Sequence, residues 1–148
     1  MEAKPEVSVQ EADFDVGAEI AALSAGRCDV GAVASFVGLV REANDGSGVS
    51  AMTLEHYPGM TERALEDIVA EARARWSLLA LRVIHRYGRL EPADRIVFVG
   101  VAGAHRGESF AACEFIMDYL KTRAPFWKTE ETPAGGQGVD ARERDERA

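Results

Sequence analysis

Two neighbouring stretches decide the fold, MTERALEDIVAEARARW (60–76) and LALRVIHRYGRLEPADRIVFVGVAGA (79–104). In the first, apolar residues recur at the three- and four-residue spacing of a helix, with Glu and Arg side chains on the opposite face. The second contains two apolar segments, 79–88 and 95–104, on either side of a turn that contains Gly and Pro. The sequence therefore predicts a helix followed by a β-hairpin.

The same patterns predict further elements on both sides of this centre: strands over 7–14, 30–41, 49–57 and 126–132, and helices over 16–26 and 108–121. We expect the strands on either side of the loop 42–48 to form a second hairpin, because that loop contains an Asp-Gly turn signal. The loop is either a mobile flap over an active site or an ordinary connection. Two main helices with several hairpins indicate an α+β fold with a mostly antiparallel sheet.

Length and composition limit the class of protein. A chain of 148 residues corresponds to one domain, predicted over residues 1–131, with a flexible Gly-rich linker and a charged tail over 132–148. The net charge of −8 argues against a nucleic-acid-binding protein. No signal peptide, no apolar run of membrane-spanning length and no cysteine framework is present, so we expect a cytoplasmic protein that is not bound to a membrane.

Metal and cofactor motifs are missing from the sequence. None of the Gly-rich phosphate-binding signatures, the nucleophile-elbow pattern or the zinc-protease pattern occurs. The histidines at 56, 85 and 105 have no Cys, Asp or Glu at the spacing of a metal site, apart from Glu55, whose side chain would point to the other face of its strand. The sequence therefore predicts neither a metal nor a cofactor.

His105 and Arg106 follow a strongly apolar strand at the point where a helix begins. Unpaired backbone N–H groups and the positive end of the helix dipole favour an anion at such a position. A guanidinium and an imidazole added there make a reasonable phosphate site. The alternative is a surface ion pair of Arg106 with Glu108 or Glu114.

Lysine is used in an unusual way in this chain. Of 17 basic residues only three are lysines, and two of them, Lys121 and Lys128, lie in the segment YLKTRAPFWK (119–128). An amine in a partly desolvated, cation-rich pocket can act as a base or a nucleophile, which a guanidinium does poorly. Arg123 and the pair Phe126–Trp127 would line such a pocket. In the alternative interpretation, Lys121 is a stabilising cation at a helix end and Lys128 a solvent-facing strand residue.

Three strings carry a resemblance to a known family: GAVASFVGLVRE (31–42), TLEHYPGMTERALEDIVAEARARW (53–76) and IVFVGVAGAHRGESFAACEFIMDYLKTRAPFWK (96–128). They closely resemble the large, catalytic subunit of molybdopterin synthase over about residues 30–130. The resemblance implies an α/β hammerhead-type fold and a homodimer of large subunits. It also implies a small ubiquitin-like sulfur-carrier subunit at each end, which gives a heterotetramer.

The resemblance further implies a sulfurtransferase of molybdenum cofactor biosynthesis. In that family the carrier's C-terminal Gly-Gly thiocarboxylate enters a pocket of the large subunit, and two sulfurs pass to cyclic pyranopterin monophosphate to give molybdopterin. The family's functional residues correspond to catalytic Lys121 and Lys128, to Arg41, His105 and Arg106 for the substrate anion, and to Arg123 as a lining residue. The chain departs from the family pattern near its end, where Gly138 stands at a position that is aromatic in some members.

Two other classes of function remain open on the sequence. A phosphate- or nucleotide-binding regulatory module without turnover would need His105 and Arg106 but not the lysines. A scaffold that only docks a ubiquitin-like partner would need the partner groove but not the lysines.

Overall fold

The computed structural model describes residues 5–42, 51–131 and 137–140, and within these ranges three helices pack against two four-stranded sheets. The helices are α1 Val16–Ser24, α2 Met60–Arg75 and α3 Arg106–Thr122. The strands are β1 Val7–Gln10, β2 Ala32–Leu39, β3 Ala51–His56, β4 Leu78–Arg86, β5 Gly88–Leu90, β6 Arg95–Gly103, β7 Phe126–Glu131 and β8 Gln137–Asp140. The predicted α+β class is confirmed. No helix in the described ranges is both long and apolar enough to cross a membrane.

Helix α2 confirms the helix predicted over 60–76. It begins after Gly59, whose φ of 86° suits a residue without a Cβ. The Gly59 backbone N–H donates to the carboxylate of Glu62 over 2.9 Å, which satisfies a donor at the start of the helix. The apolar face, which includes Leu65, Ile68 and Val69, is buried.

The first sheet has the strand order β1-β4-β6-β2, and only β1 in it pairs parallel to its neighbour. The hairpin predicted from 79–88 and 95–104 is confirmed, because β4 and β6 pair antiparallel with Val83 opposite Val99. Helix α3 covers β6 and β2, and its buried residue Ile116 belongs to the same apolar cluster as Val99 and Val101. The core therefore lies between this sheet and helices α2 and α3.

The second sheet has the order β5-β3-β7-β8 and corrects one expectation. The predicted hairpin of 30–41 with 49–57 is wrong, because β2 pairs with β6 whereas β3 pairs with β5 and β7. The connection over 40–50 is much longer than the two to five residues typical of a hairpin loop, so the chain can pass from one sheet to the other. Residues 43–50, which include most of the predicted flap, lie outside the described residues.

The end of the second sheet extends past residue 131. Strand β8 pairs antiparallel with β7, with Val139 opposite Lys128, at a place where the sequence predicts a linker and tail. The sequence does not predict this strand, because its four residues are too few to show a periodic pattern and they follow a Gly-rich segment. Residues 132–136 and 141–148 of the predicted linker and tail lie outside the described residues.

Candidate active site

The two lysines lie on either side of the short segment that joins α3 to β7. Lys121 is exposed in the last turn of α3, and Lys128 is half-buried in the middle of β7, opposite Leu54 of β3. The helix ends abruptly because the backbone N–H groups of Arg123 and Ala124 both donate to the carbonyl of Tyr119, over 2.8 and 3.1 Å. The guanidinium of Arg123 lies 5.2 Å from the centre of the Tyr119 ring. We call Lys121, Arg123 and Lys128 the lysine cluster.

The aromatic pair of this segment does not line one pocket, so that expectation is wrong. Neighbouring residues of a strand point to opposite faces of the sheet. Phe126 is buried and stacks on His85, with ring centres 3.7 Å apart. Trp127 lies on the other face, 4.7 Å from the ring of Tyr57. Since Lys128 is two residues beyond Phe126, it shares the face on which Phe126 lies.

His105 and Arg106 start α3, as the sequence predicted for an anion site. His105 is the extended residue immediately before the helix, and both side chains are exposed. The alternative ion pair of Arg106 with Glu108 or Glu114 is not observed among the described residues, and Glu108 instead accepts a hydrogen bond from the backbone N–H of Ser77 over 3.1 Å. Within the described ranges the structure shows no salt bridge of Arg106, so its guanidinium is available to a ligand. We call His105 and Arg106 the anion cluster.

Within a single copy of the chain, the anion cluster lies far from the lysine cluster. The direction of α3 relative to the sheet follows from two contacts: the Ser109 hydroxyl donates to the carbonyl of Ala32 over 3.1 Å, and the Cys113 thiol lies 4.0 Å from the carbonyl of Val99. Helix α3 therefore runs antiparallel to β6. At 1.5 Å per residue, the backbones of Arg106 and Lys121 are about 22 Å apart.

Arg41 also lies far from the anion cluster. In the β2–β6 pair, Ala32 is opposite Gly103 and Leu39 is opposite Arg95, so the two ends of the pair are about 26 Å apart. Arg41 follows the Leu39 end, whereas His105 follows the Gly103 end. Since α3 returns along β6, Arg41 lies toward the same end of the sheet as Lys121.

His85 is a buried group near the lysine cluster that the sequence did not single out. Its Nδ1 lies 2.9 Å from the carbonyl of Arg86. Burial is the main cause that lowers the pKa of His85 from 6.5 to about 4. The nearby charges of His56 and Lys128 contribute in the same direction, and the hydrogen bond to the Arg86 carbonyl opposes them. The imidazole is therefore neutral at neutral pH. Nothing in the local sequence marks this residue, because its environment comes from β7, about forty residues later.

We expect the stability of the chain to fall as the pH drops from about 6.5 to about 4 because of His85. In this window the unfolded chain binds a proton at His85 and the folded chain does not, so protons favour unfolding. The loss is up to about 3 kcal/mol. Denaturant unfolding at several pH values should show it, and His85→Phe should make the curve flatter over this window. An unchanged slope in His85→Phe would contradict the assignment.

No group of three His, Cys, Asp or Glu side chains is placed to hold a metal ion in the described part of the chain. The two cysteines also differ in character. Cys113 is buried on α3, and burial raises the pKa of its thiol to about 11, whereas Cys28 is exposed in the loop before β2. The Cys113 thiol is therefore protonated at neutral pH and is a poor nucleophile.

Comparisons with known proteins identify the family of this chain. The family model described as "MoaE protein" matches residues 9–123. A "Molybdopterin synthase catalytic subunit" from Ralstonia nicotianae is 67% identical over 144 residues, which are 97% of this chain and 82% of that protein. The solved "Molybdopterin biosynthesis MoaE protein" from Burkholderia ambifaria is 55% identical with a TM-score of 0.80, covering 94% of this chain and 91% of that one.

A more distant structure shares the fold. It is a "Protein-protein complex of subunit 1 and 2 of Molybdopterin-converting factor" from Helicobacter pylori, with 19% identity and a TM-score of 0.76 over 95% of this chain and 92% of that one. The family model alone covers most of the chain, and the match to the relative from Ralstonia covers 97% of this chain. The chain therefore belongs to the MoaE protein family and is an enzyme of the molybdopterin synthase catalytic-subunit type.

Proposed function

We propose that this chain is a cytoplasmic sulfurtransferase that converts cyclic pyranopterin monophosphate to molybdopterin. The sulfur would come from the C-terminal thiocarboxylate of a small ubiquitin-like carrier subunit. The observation that carries the proposal is the lysine cluster, because two of the three lysines of the chain lie on either side of one tight turn. Membership of the MoaE family supports a carrier partner, as does the likeness to the Helicobacter pylori complex of two subunits.

Each residue of the proposed site has a role that suits its chemistry. Sulfur transfer requires a proton to be taken from or given to the pterin side chain while the thiocarboxylate carbonyl is held nearby. Lys121 is exposed at a helix end and would move that proton. Lys128 would supply positive charge from the neighbouring strand, with Arg123 lining the same segment. Arg41, His105 and Arg106 would hold the anionic end of the pterin substrate.

The distance between the two clusters supports a homodimer with shared sites. Strand β2 is at the edge of the first sheet and exposes Phe36 and Leu39, the latter to 56%. Such an edge is suited to cover by a second copy through a two-fold contact. Antiparallel pairing of two β2 strands would bring the Arg41 end of one copy beside the His105 end of its partner. Each complete site would then combine the lysine cluster of one copy with the anion cluster of the other.

Mass spectrometry of the complete reaction tests the proposed activity. The purified chain, the thiocarboxylated carrier and the pterin substrate are mixed, and conversion to the dithiolene product is followed. Conversion is expected only with all three components. A regulatory module would bind the pterin phosphate without conversion, and a scaffold would bind the carrier alone. Either result would contradict the proposed activity.

We expect Arg106→Ala to weaken substrate binding far more than carrier binding. Removal of one charge-assisted hydrogen bond costs roughly 1.5–3 kcal/mol, which is about ten- to a hundredfold in affinity. The exposed guanidinium supports no other side chain in the described structure, so the melting temperature should not change. Isothermal calorimetry with each ligand measures both affinities. Equal loss of both would instead place Arg106 in the carrier interface.

Both cysteines should be dispensable for turnover. The sulfur is expected to come from the carrier, and the protonated Cys113 and the exposed Cys28 are not needed to relay it. A Cys28→Ala/Cys113→Ala variant should fold and keep turnover within about twofold, with some loss of stability from the cavity at 113. Folding with complete loss of activity would show that a protein thiol carries the sulfur.

A further inference from the structure

The turn between the two lysines is held by a buried hydroxyl on another element. Thr61 lies in the first turn of α2 and is completely buried. Its hydroxyl donates to the carbonyl of Pro125 over 3.1 Å and accepts the backbone N–H of Tyr57 over 3.0 Å. Its own backbone N–H donates to the carbonyl of Tyr57. Thr61 therefore joins the end of β3, the start of α2 and the turn that precedes β7.

The carbonyl of Pro125 is at the point where the direction of the chain changes. Before it, the helix ends through two hydrogen bonds to Tyr119. Immediately after it, the N–H of Phe126 donates back to the carbonyl of Ala124 over 2.9 Å, which makes a three-residue turn centred on Pro125. Among the described residues, the Pro125 carbonyl is thus the one acceptor in this turn that is bound by a side chain from another element.

A second restraint acts on the next residue. The Phe126 ring is stacked on His85 with only 16° between the ring planes. The Nδ1 contact of His85 to the carbonyl of Arg86 fixes the orientation of the imidazole. Phe126 is therefore immobilised from the first sheet, and Pro125 from α2. The remaining freedom of the turn before β7 therefore depends on the Thr61 hydroxyl.

We infer that Thr61 is a positioning residue that sets the placement of the Lys121 amine relative to the Lys128 amine through the carbonyl of Pro125. The effect of Thr61 on catalysis rests on the proposed function, whereas its effect on the positions of the two amines does not. Loss of the hydroxyl leaves the part-buried carbonyl of Pro125 and the part-buried N–H of Tyr57 without this partner, so the turn has to move toward another donor or toward water. A displacement of about 1 Å between reacting groups is enough to reduce a rate substantially.

The matched variants are Thr61→Val, which keeps the shape and removes the hydroxyl, and Thr61→Ser, which keeps the hydroxyl. With Thr61→Val we expect kcat to fall at least about tenfold, while KM for pterin and carrier stays within about twofold. Thr61→Ser should restore kcat to within about threefold of the wild type. Leu23→Ala, in the separate apolar cluster under α1, is the control for stability. It should lower the melting temperature at least as much as Thr61→Val and leave kcat unchanged.

A chemical cross-link reports the geometry without any turnover. The chain has three lysines, Lys4, Lys121 and Lys128, so peptide mass spectrometry can assign a Lys121–Lys128 bridge made by amine-reactive reagents of several spacer lengths. Thr61→Val should change the spacer length that gives the highest yield, and Thr61→Ser and Leu23→Ala should not.

The outcomes separate this inference from the proposed function. Wild-type cross-linking and wild-type kcat in Thr61→Val would overturn the inference, as would an equal loss of kcat in Leu23→Ala. A loss of kcat with an unchanged cross-link pattern would overturn it as well. If wild-type protein makes no dithiolene but the cross-link still depends on the hydroxyl, the proposed function fails and the positioning role of Thr61 stands.

Discussion

Lys121→Arg should bind the pterin substrate and the carrier almost normally and lose turnover by about a hundredfold or more. Loss of a general acid or base typically costs this much. An arginine keeps the positive charge but does not release its proton at any pH where the protein is folded. Because the side chain is exposed in the last turn of α3, a larger cation fits there and still stabilises the helix end.

The same variant distinguishes between the two interpretations of this residue. If Lys121 served only as a cation at the end of a helix, arginine would replace it without loss. Single-turnover rates with preformed carrier thiocarboxylate measure the chemical step, and calorimetry measures both affinities. Lys128→Arg is the matched control and should be milder, since Lys128 is expected mainly to supply charge. A near-normal single-turnover rate in Lys121→Arg would assign the proton transfer to Lys128 or to water.

Mixing two defective variants should restore activity at pterin concentrations well below KM if the sites are shared between copies. Lys121→Ala lacks the amine and Arg106→Ala lacks the anion contact, so each homodimer has two defective sites. In a mixed dimer, one site receives both defects and the other receives neither. Random reassortment makes half of the dimers mixed, so activity should rise from a few per cent to about a quarter of the wild-type value.

The control for this experiment pairs Lys121→Ala with Lys128→Ala. Both changes fall in the lysine cluster, which one copy supplies as a unit, so no mixed dimer contains a complete site. Copies with two different affinity tags allow the mixed dimer to be purified and counted. Recovery in the control, or no recovery with Arg106→Ala in a purified mixed dimer, would contradict shared sites.

The sequence predicts elements well where the pattern is long and regular. The helix 60–76 and the hairpin of β4 with β6 have many periodic residues, and both are found. The pairing of β2 and β3 could not be predicted in this way. Their residues indicate that each is a strand, but the partner depends on which side chains meet across the whole domain. The four-residue β8 is too short to show a period at all.

The candidate site also contains residues that the sequence indicates and residues that only the packing of the domain reveals. Composition and position alone indicate the two lysines and the pair His105–Arg106. Thr61 and His85 leave no such mark, because a threonine near a helix start and a histidine in a strand are ordinary. Their contacts with Pro125 and Phe126 arise only when α2 and β4 pack beside β7. The resemblance assigned Arg41 to the site, but the sequence could not predict how far Arg41 lies from His105.

Helix α3 has a consequence for how two active sites would communicate. It carries the anion cluster at its first turn and Lys121 at its last, so in a dimer with shared sites each α3 belongs to both sites at once. The 17 residues of α3 form one uninterrupted helix, so its two ends are joined by a continuous hydrogen-bonded backbone. A phosphate that bound at its N-terminal end in one site would shift or steady the amine at the other end, in the second site. Turnover at the two sites would then be coupled, and half-occupied dimers would react at a different rate per site from full ones.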